Sequence, residues 1–213
     1  MAKAKQGILG GFEGKIGNVV GVTRYGKTFM RSLPEHYNDR KSEAQLIHRK
    51  KITTVNDFLR PIKSFVKIGY RNLAVGKSAY NVAYSNMFKS NVIVGEYPNF
   101  AIDYSKCPLA VGDLRPALDP AVSYDNNQIT ISWTNNSDNP NANPDDIANI
   151  LIFNTSNGES VCSTSSFTRS GQSFTANIPS TWSGNAMVVY LFFASANDKH
   201  VSNSQYLGEF TCQ

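Results

Sequence analysis

The sequence predicts an α+β protein in which a glycine-rich arm with short strands and helices precedes an antiparallel β-sandwich. Three observations favour this fold class. Seven glycines fall between Gly7 and Pro34. Apolar residues recur at helical spacing between residues 43 and 89, and short alternating segments separated by Asn, Asp, Gly, Pro and Ser follow from about residue 116. We therefore expect two domains, a basic α+β part over 1–115 and an acidic sandwich over 116–213.

The arm contains two short strand signals, NVVGV and KTFMRS, around the turn Arg24-Tyr25-Gly26. Glycine at this density lets the backbone reach conformations closed to other residues, but it leaves an isolated segment flexible. Such a segment becomes ordered when something holds it. We expect the arm to dock on a partner, either another copy of the chain or another protein of the same assembly.

The arm also matches the phosphate-loop pattern GxxxxGK[ST], at Gly21–Thr28. A working phosphate loop runs from a strand into a helix, whose N-terminus supplies part of the anion site. Pro34 leaves too little room for a helix after Thr28. We therefore interpret the match as a glycine turn between two strands. The hypothesis that the protein is a nucleoside-triphosphate hydrolase rests on this match alone.

Helical signals follow the arm. Ser42-Glu43-Ala44-Gln45 has the pattern of a capping box, in which a hydroxyl and a Gln three residues later satisfy free amides at a helix start. We expect a helix to begin there and Pro61 to break it. A further helix is expected from about Ser78 to Lys89, and extended structure over 92–105. The apolar positions of the first helical region are Ile47, Val55, Phe58, Leu59, Ile62 and Val66.

Charge divides the chain. Residues 1–110 hold 18 Lys and Arg against 7 Asp and Glu, whereas residues 111–213 hold 3 against 9. This asymmetry points to two parts with different partners. The basic half is suited to nucleic acid, to an acidic membrane surface or to an acidic protein. The alternative is a solvated basic face with head-to-tail packing of unlike halves.

The basic stretch 48–71 is the main functional candidate. At helical spacing Arg60, Lys63 and Lys67 share a face that could follow a phosphate backbone, with Tyr70, Tyr80 and Tyr84 available to stack on bases. The alternative is an amphipathic helix that is solvated on its basic side and uses its tyrosines in the core. The candidate contacts to nucleic acid or a protein partner are Lys15, Arg24, Lys27, Arg49, Lys50, Lys51, Arg60, Lys63, Lys67 and Arg71.

Seven short segments predict the sandwich. They are residues 121–124, 128–133, 149–154, 160–164, 173–178, 187–193 and 205–210. The segments ITISW, ILIFN and VVYLFFASAND, with the closing VSNSQYLGEF, resemble an Ig/fibronectin III-like domain. This resemblance implies that Trp133 packs in the core and that Tyr190 is a core residue of the sixth strand. The long polar insert 134–146 departs from the pattern.

The whole chain also resembles a family of uncharacterised domains found in Bacteroidetes-type bacteria and their phages. The segments that carry the resemblance are GILGGFEGKIGNVVG, Arg31–Pro34, Ala44-Gln45 with Arg49, PNFAIDYS and VSNSQYLG. That family commonly shows Trp in the turn where this chain has Arg24-Tyr25. Membership implies no established activity.

The remaining polar residues show no pattern typical of catalysis or metal binding. The Asp145-Asp146 pair is expected to begin a strand or cap a turn, and the cysteines to act as small apolar residues. We expect no enzyme activity, no cofactor and no small-molecule substrate. No apolar run predicts a membrane span, and no secretory signal is found. The histidines and cysteines concerned are His36, His48, His200, Cys107, Cys162 and Cys212.

These observations predict a non-enzymatic structural protein of a multi-subunit assembly, with a phage virion (capsid or tail) component as the leading form. The arm would contact other copies or other virion proteins, and the basic helices would face neighbours or packaged DNA. The alternative is a cytoplasmic nucleic-acid-binding protein that uses the basic N-terminal half. We expect synthesis in the cytoplasm, and a place in the virion if a phage encodes the chain.

Overall fold

The computed structural model describes residues 2–4, 7, 10–36, 38–125, 127–164 and 166–212. These residues form three α-helices and four antiparallel sheets, so the fold class is α+β. The chain divides into two compact units, one ending at Glu43 and the other beginning at Ala44. The boundary predicted between 115 and 116 lies inside the second unit. Two residues of the glycine-rich arm, Ile8 and Leu9, lie outside the described residues.

The first unit is an antiparallel sheet in which each strand pairs with the next along the chain. Its strands are β1 (Lys3–Ala4), β2 (Phe12–Ile16), β3 (Val19–Arg24) and β4 (Lys27–Ser32). Tyr25 and Gly26 connect β3 to β4 with φ angles of 52° and 75°. Two positive φ angles define a tight hairpin turn whose twist suits the flanking strands. The two predicted arm strands and their turn are therefore confirmed.

The second unit begins with helices. They are α1 (Glu43–Leu59), α2 (Lys63–Gly69) and α3 (Ala79–Lys89). Helix α1 begins directly after Ser42, and the break before α2 contains Pro61, as the sequence predicts. The Ser78 hydroxyl accepts a hydrogen bond from the Asn81 amide at 3.1 Å and so caps α3. Only part of 92–105 is extended, in the two-stranded pair β5 (Ile93–Val94) and β6 (Ala101–Ile102).

Seven antiparallel strands follow in the described part of the chain, one at each predicted segment. They are β7 (Leu118–Asp125), β8 (Gln128–Thr134), β9 (Ile147–Asn154), β10 (Ser160–Ser163), β11 (Ser173–Asn177), β12 (Ala186–Ala194) and β13 (Gln205–Thr211). The strand order is β10-β9-β12-β13 in one sheet and β11-β8-β7 in the other.

The four-stranded sheet is covered on both faces. On β9, Ile150 and Ile152 belong to the core shared with the three-stranded sheet. The alternate residues Leu151 and Phe153 belong to the core shared with the helices. The Phe58 ring of α1 lies edge-on to Phe153 with ring centroids 4.9 Å apart. Helices and sandwich thus share a core, which explains why the chain does not divide at residue 115.

Trp133 and Tyr190 test the core expected from the Ig/fibronectin III-like resemblance. Trp133 is 3% exposed and lies edge-on to Phe193 in the core between the two sheets. Tyr190 is buried on β12 but belongs to the core on the helix side, where its hydroxyl donates to the Tyr104 carbonyl oxygen at 2.7 Å. Burial raises the pKa of Tyr190 well above its usual value. Both are core residues, in different layers.

Candidate functional site

One face of the arm sheet gathers most of the arm's cations. Residues directly opposite each other in antiparallel strands share a face. Lys15 lies opposite Val20, which lies opposite Arg31; Val22 lies opposite Phe29, and Arg24 opposite Lys27. We call this set the basic face. It consists of Lys15, Val20, Val22, Arg24, Lys27, Phe29 and Arg31.

The basic face is open to solvent. All six residues of β4 are exposed, and the Phe29 side chain is 55% exposed to solvent. A depression of about 350 Å³ is lined by Val22, Arg24, Phe29 and Arg31. Arg24 and Lys27 are like charges placed directly opposite each other, an arrangement that destabilises a sheet. An anionic group bound between them would offset that repulsion.

The opposite face of the arm sheet carries the glycines that the fold requires. A Cβ at Gly21 would meet the Phe12 carbonyl oxygen at 2.2 Å and the Phe12 ring at 2.8 Å. Gly21 must therefore be glycine for Phe12 to lie over it. The same face exposes apolar side chains: Met30 is 65% exposed, Ile16 54% and Val19 39%.

The arm sheet has almost no core of its own. Among its described residues only Gly21 is buried. A small sheet needs a hydrophobic face packed on a core to be stable in water. Here both faces remain open and both carry exposed apolar side chains. The described residues therefore leave this sheet without the packed face that an independent domain needs.

The phosphate-loop match lies within this hairpin. Tyr25 and Gly26 form the turn, and Lys27 and Thr28 begin β4 instead of a helix. The loop therefore lacks the helix N-terminus that supplies an anion site in phosphate loops. The structure confirms the interpretation as a turn between two strands.

The basic residues of the helical region do not form the continuous row expected from their spacing. Arg60 lies in the break between α1 and α2, so it does not share a helix with Lys63 and Lys67. All three side chains are exposed. The other candidates lie elsewhere: Arg49, Lys50 and Lys51 on α1, and Arg71 in a short 3₁₀ turn after α2.

The contacts of two of these cations, Arg71 and Lys51, lie within the second unit. Arg71 forms an ion pair with Asp198, and its Nη1 also donates to the Asp198 carbonyl oxygen at 3.1 Å. The Lys51 ammonium lies 5.2 Å from the centroid of the Phe100 ring. These contacts tie the helical layer to neighbouring segments. They favour a structural role for both residues.

The tyrosines considered for base stacking are largely core residues. Tyr70 is fully buried, its hydroxyl donates to the Pro108 carbonyl oxygen at 2.6 Å, and burial raises its pKa to about 12. The Tyr80 hydroxyl donates to Oδ1 of Asn56 at 3.0 Å. Tyr80 and Tyr84 are half-buried and pack against the helix-side core. The core alternative is therefore confirmed for Tyr70.

Sequence reasoning missed a buried ion pair between Arg169 and Asp146. Both side chains are fully buried, and Nε and Nη2 of Arg169 donate to Oδ2 of Asp146 at 3.1 and 3.0 Å. The guanidinium also donates to Asn136 at 2.5 Å and to the Arg115 carbonyl oxygen at 2.9 Å. It lies 3.9 Å above the Phe193 ring centroid. Burial lowers the pKa of Arg169, and the Asp146 carboxylate opposes that shift.

This ion pair organises the polar insert. Oδ2 of Asp146 accepts from the Asn143 amide at 2.9 Å, and β9 begins at the next residue, as expected of an acid that caps a turn before a strand. Trp133 Nε1 donates to the Arg169 carbonyl oxygen at 2.8 Å. The sequence signal was weak: Arg169 is one of three cations in an acidic half. We assign the pair a structural part.

The other polar residues form no metal centre in the described part of the chain. No group of three His, Cys, Asp or Glu side chains there could hold an ion. Cys107 and Cys212 are buried and Cys162 is half-buried, and burial raises the pKa of the Cys107 thiol to about 12. Their burial agrees with the expectation that they act as small apolar residues. No described helix has the length and apolar character needed to cross a membrane.

Together these features define an α+β protein with a separate, exposed arm sheet and no described metal centre. The chain belongs to a family of unknown function (DUF6266), whose family model matches residues 11–208. The match includes the basic face as well as the helices and most of the sandwich. A comparison with curated proteins finds no match.

Proposed function

We propose that the protein is a non-enzymatic subunit of a multi-subunit assembly and that the arm sheet docks on neighbouring molecules. The observation that carries the proposal is the arm sheet itself, which has a defined hairpin and strand register but one buried residue among those described. Ordering a residue costs about 1–2 kcal/mol. An element without a core has little within the chain to offset that cost, so contacts with another molecule must supply it.

The exposed apolar side chains of the arm are suited to that purpose. Each square ångström of apolar surface removed from water contributes about 25 cal/mol. Apolar surface is available on both faces and at the turn, where Tyr25 is 60% exposed. The cations of the basic face add charge complementarity to an acidic neighbour, and charge of this kind mainly sets specificity and association rate.

The particular assembly that we propose is a phage virion. For the sandwich, we propose the Ig/fibronectin III-like fold. The strand order supports the latter: the first, second and fifth strands form one sheet, and the fourth, third, sixth and seventh form the other.

Nucleic-acid binding is the second candidate function, and the basic face is the observation that favours it. Cations surrounding an exposed aromatic ring resemble the platforms on which single strands stack. Arg24, Lys27 and Arg31 flank Phe29 on this face, and Lys15 lies further along it, opposite Val20. The exposed cations Arg60, Lys63 and Lys67 would add phosphate contacts.

Removal of residues 2–34 tests the proposal. We expect the shortened chain to be a monomer by native mass spectrometry, with thermal unfolding of the second unit unchanged, because the arm lies outside that unit. The matched control is a Lys63→Ala/Lys67→Ala variant, which should assemble as the parent does. Assemblies of parental mass from the shortened chain would refute the proposal. Salt-sensitive DNA binding by the parent would then support the second candidate.

A further inference from the structure

The outer edge of β4 has no strand partner among the described residues. Strand β4 closes the arm sheet and pairs with β3 alone. An open edge presents unpaired amides and carbonyls and serves as a template for another strand. Proteins usually protect such edges with very short strands, bulges, Pro or charged side chains. Strand β4 has six residues in regular register without Pro or a bulge, and its two cations, Lys27 and Arg31, leave the central residues Thr28–Met30 uncharged.

The backbone groups on that edge can be assigned. In a two-residue hairpin the closing pair, here Arg24 and Lys27, is hydrogen-bonded. The Leu33 amide donates to the Asn18 carbonyl oxygen at 2.7 Å, which continues the same phase along the strand. The odd-numbered residues of β4 therefore direct their amides towards β3. Thr28, Met30 and Ser32 direct theirs outward, since the direction alternates along a strand.

The side chains of β4 are self-complementary in one register. If two β4 strands pair antiparallel about a two-fold axis at Met30, Met30 lies opposite its own copy. Phe29 then lies opposite Arg31, a cation–π pair, and Thr28 lies opposite Ser32, a hydroxyl pair. The three outward residues form three hydrogen-bonded pairs across the axis, so each donates and accepts one backbone bond.

The register centred on Phe29 is worse both in its side-chain pairs and in its backbone hydrogen bonds. Centring the axis on Phe29 places Lys27 opposite Arg31 twice, and like charges directly opposite each other destabilise a sheet. It also leaves one of the outward residues, Ser32, without a strand partner. Centring on Thr28 leaves Met30, Arg31 and Ser32 beyond the overlap. The sequence of β4 thus selects Met30 as the centre.

We infer that β4 pairs with β4 of a second copy of this chain, antiparallel and centred on Met30, to join the two arm sheets into one. The inference rests on the proposed function and names the partner for one edge of the arm. Such an interface is isologous, the commonest kind in homo-oligomers. The exposed Met30, 65% open in the single chain, becomes the centre of the interface.

A disulfide at the two-fold axis tests the register. Hydrogen-bonded residues opposite each other have Cα atoms about 5.5 Å apart, within the range that a disulfide spans. Met30→Cys should therefore cross-link two chains under mild oxidation. The matched control is Ser32→Cys, whose copies would lie about 13 Å apart along the strands. Both variants carry Cys162→Ser, because Cys107 and Cys212 are buried.

We expect the Met30→Cys chain to form dimers at least tenfold faster than the Ser32→Cys chain. Equal rates, or faster linkage through Ser32→Cys, would overturn the inference. If the parent assembles by native mass spectrometry while Met30→Cys stays uncross-linked, the inference fails and the proposed function stands. If the parent is a monomer at every concentration, both fail.

A charge variant provides a second readout. Met30→Lys places like charges opposite each other at the axis and should weaken the dimer at least roughly tenfold in sedimentation equilibrium. Ile16→Lys is the control, because Ile16 is exposed to a similar extent, 54% against 65%, but lies on β2, away from the β4 edge. Equal weakening by the two substitutions would overturn the inference.

Discussion

At the scale of single residues, Arg169 shows how much of the sandwich depends on one buried charge. Its guanidinium is fully buried and bonds to Asp146, Asn136 and the Arg115 carbonyl oxygen. Removing one partner of such a pair leaves the other charge buried without compensation. One carboxylate oxygen of Asp146, Oδ1, already has no hydrogen-bond partner among the described residues.

Arg169→Met should therefore destabilise the protein by about 3–5 kcal/mol, which urea unfolding measures. Replacing Asp146 as well, in Arg169→Met/Asp146→Leu, should recover much of the loss because no buried charge remains. Arg115→Met is the control, since that side chain is exposed. A loss below about 1 kcal/mol for Arg169→Met would show that water reaches the Asp146 carboxylate.

Local residue patterns were predictable and distant contacts were not. The turn at Tyr25-Gly26 follows from glycine and strand signals on adjacent residues. The helix from about Ser78 to Lys89 was likewise predictable from its own residues. The bond from Arg169 to Asp146 joins residues 23 positions apart. No local propensity encodes such a pair, so the sequence indicated only that Asp146 would precede a strand or cap a turn.

At the scale of elements, the seven sandwich strands were predictable because alternation and turn residues are local signals. The packing of the helices against the sandwich was not predicted, although a signal existed. Strands β9 and β12 are nearly continuous apolar runs rather than alternating ones, as expected of strands buried on both faces. A second covering layer was therefore implied. Tertiary contacts decide that the helices form this layer, and the strand pattern does not encode those contacts.

A fragment experiment tests this layering. A chain of residues 40–213 should unfold cooperatively, whereas 116–213 alone should expose the helix-facing side of β9 and β12 and aggregate. Dye binding to exposed apolar surface and near-ultraviolet circular dichroism would report the difference. The matched control is 116–213 with Leu151, Phe153 and Phe192 replaced by Thr, which should be more soluble. A soluble, rigid, unmodified 116–213 fragment would contradict the shared core.

At the scale of the whole molecule, the chain combines a core-bearing unit with an arm sheet that has almost no core. The charge split of the sequence indicated different partners for different parts, and the structure places arm cations on one face. Neither reveals the assembly, because partner identity depends on a second molecule. The sequence predicted the arm's strands. It did not predict that both of their faces would remain open.

The most direct test of this account is amide hydrogen exchange at two protein concentrations. If neighbours hold the arm sheet, the amides of Val20, Val22 and Phe29 should be protected in the concentrated, assembled protein. They should exchange nearly freely after dilution to monomers, because local stability then reflects the arm alone. The amides of β9 and β12 should stay protected throughout. Arm protection that is equally strong at both concentrations would show that the sheet is stable by itself and would contradict the account.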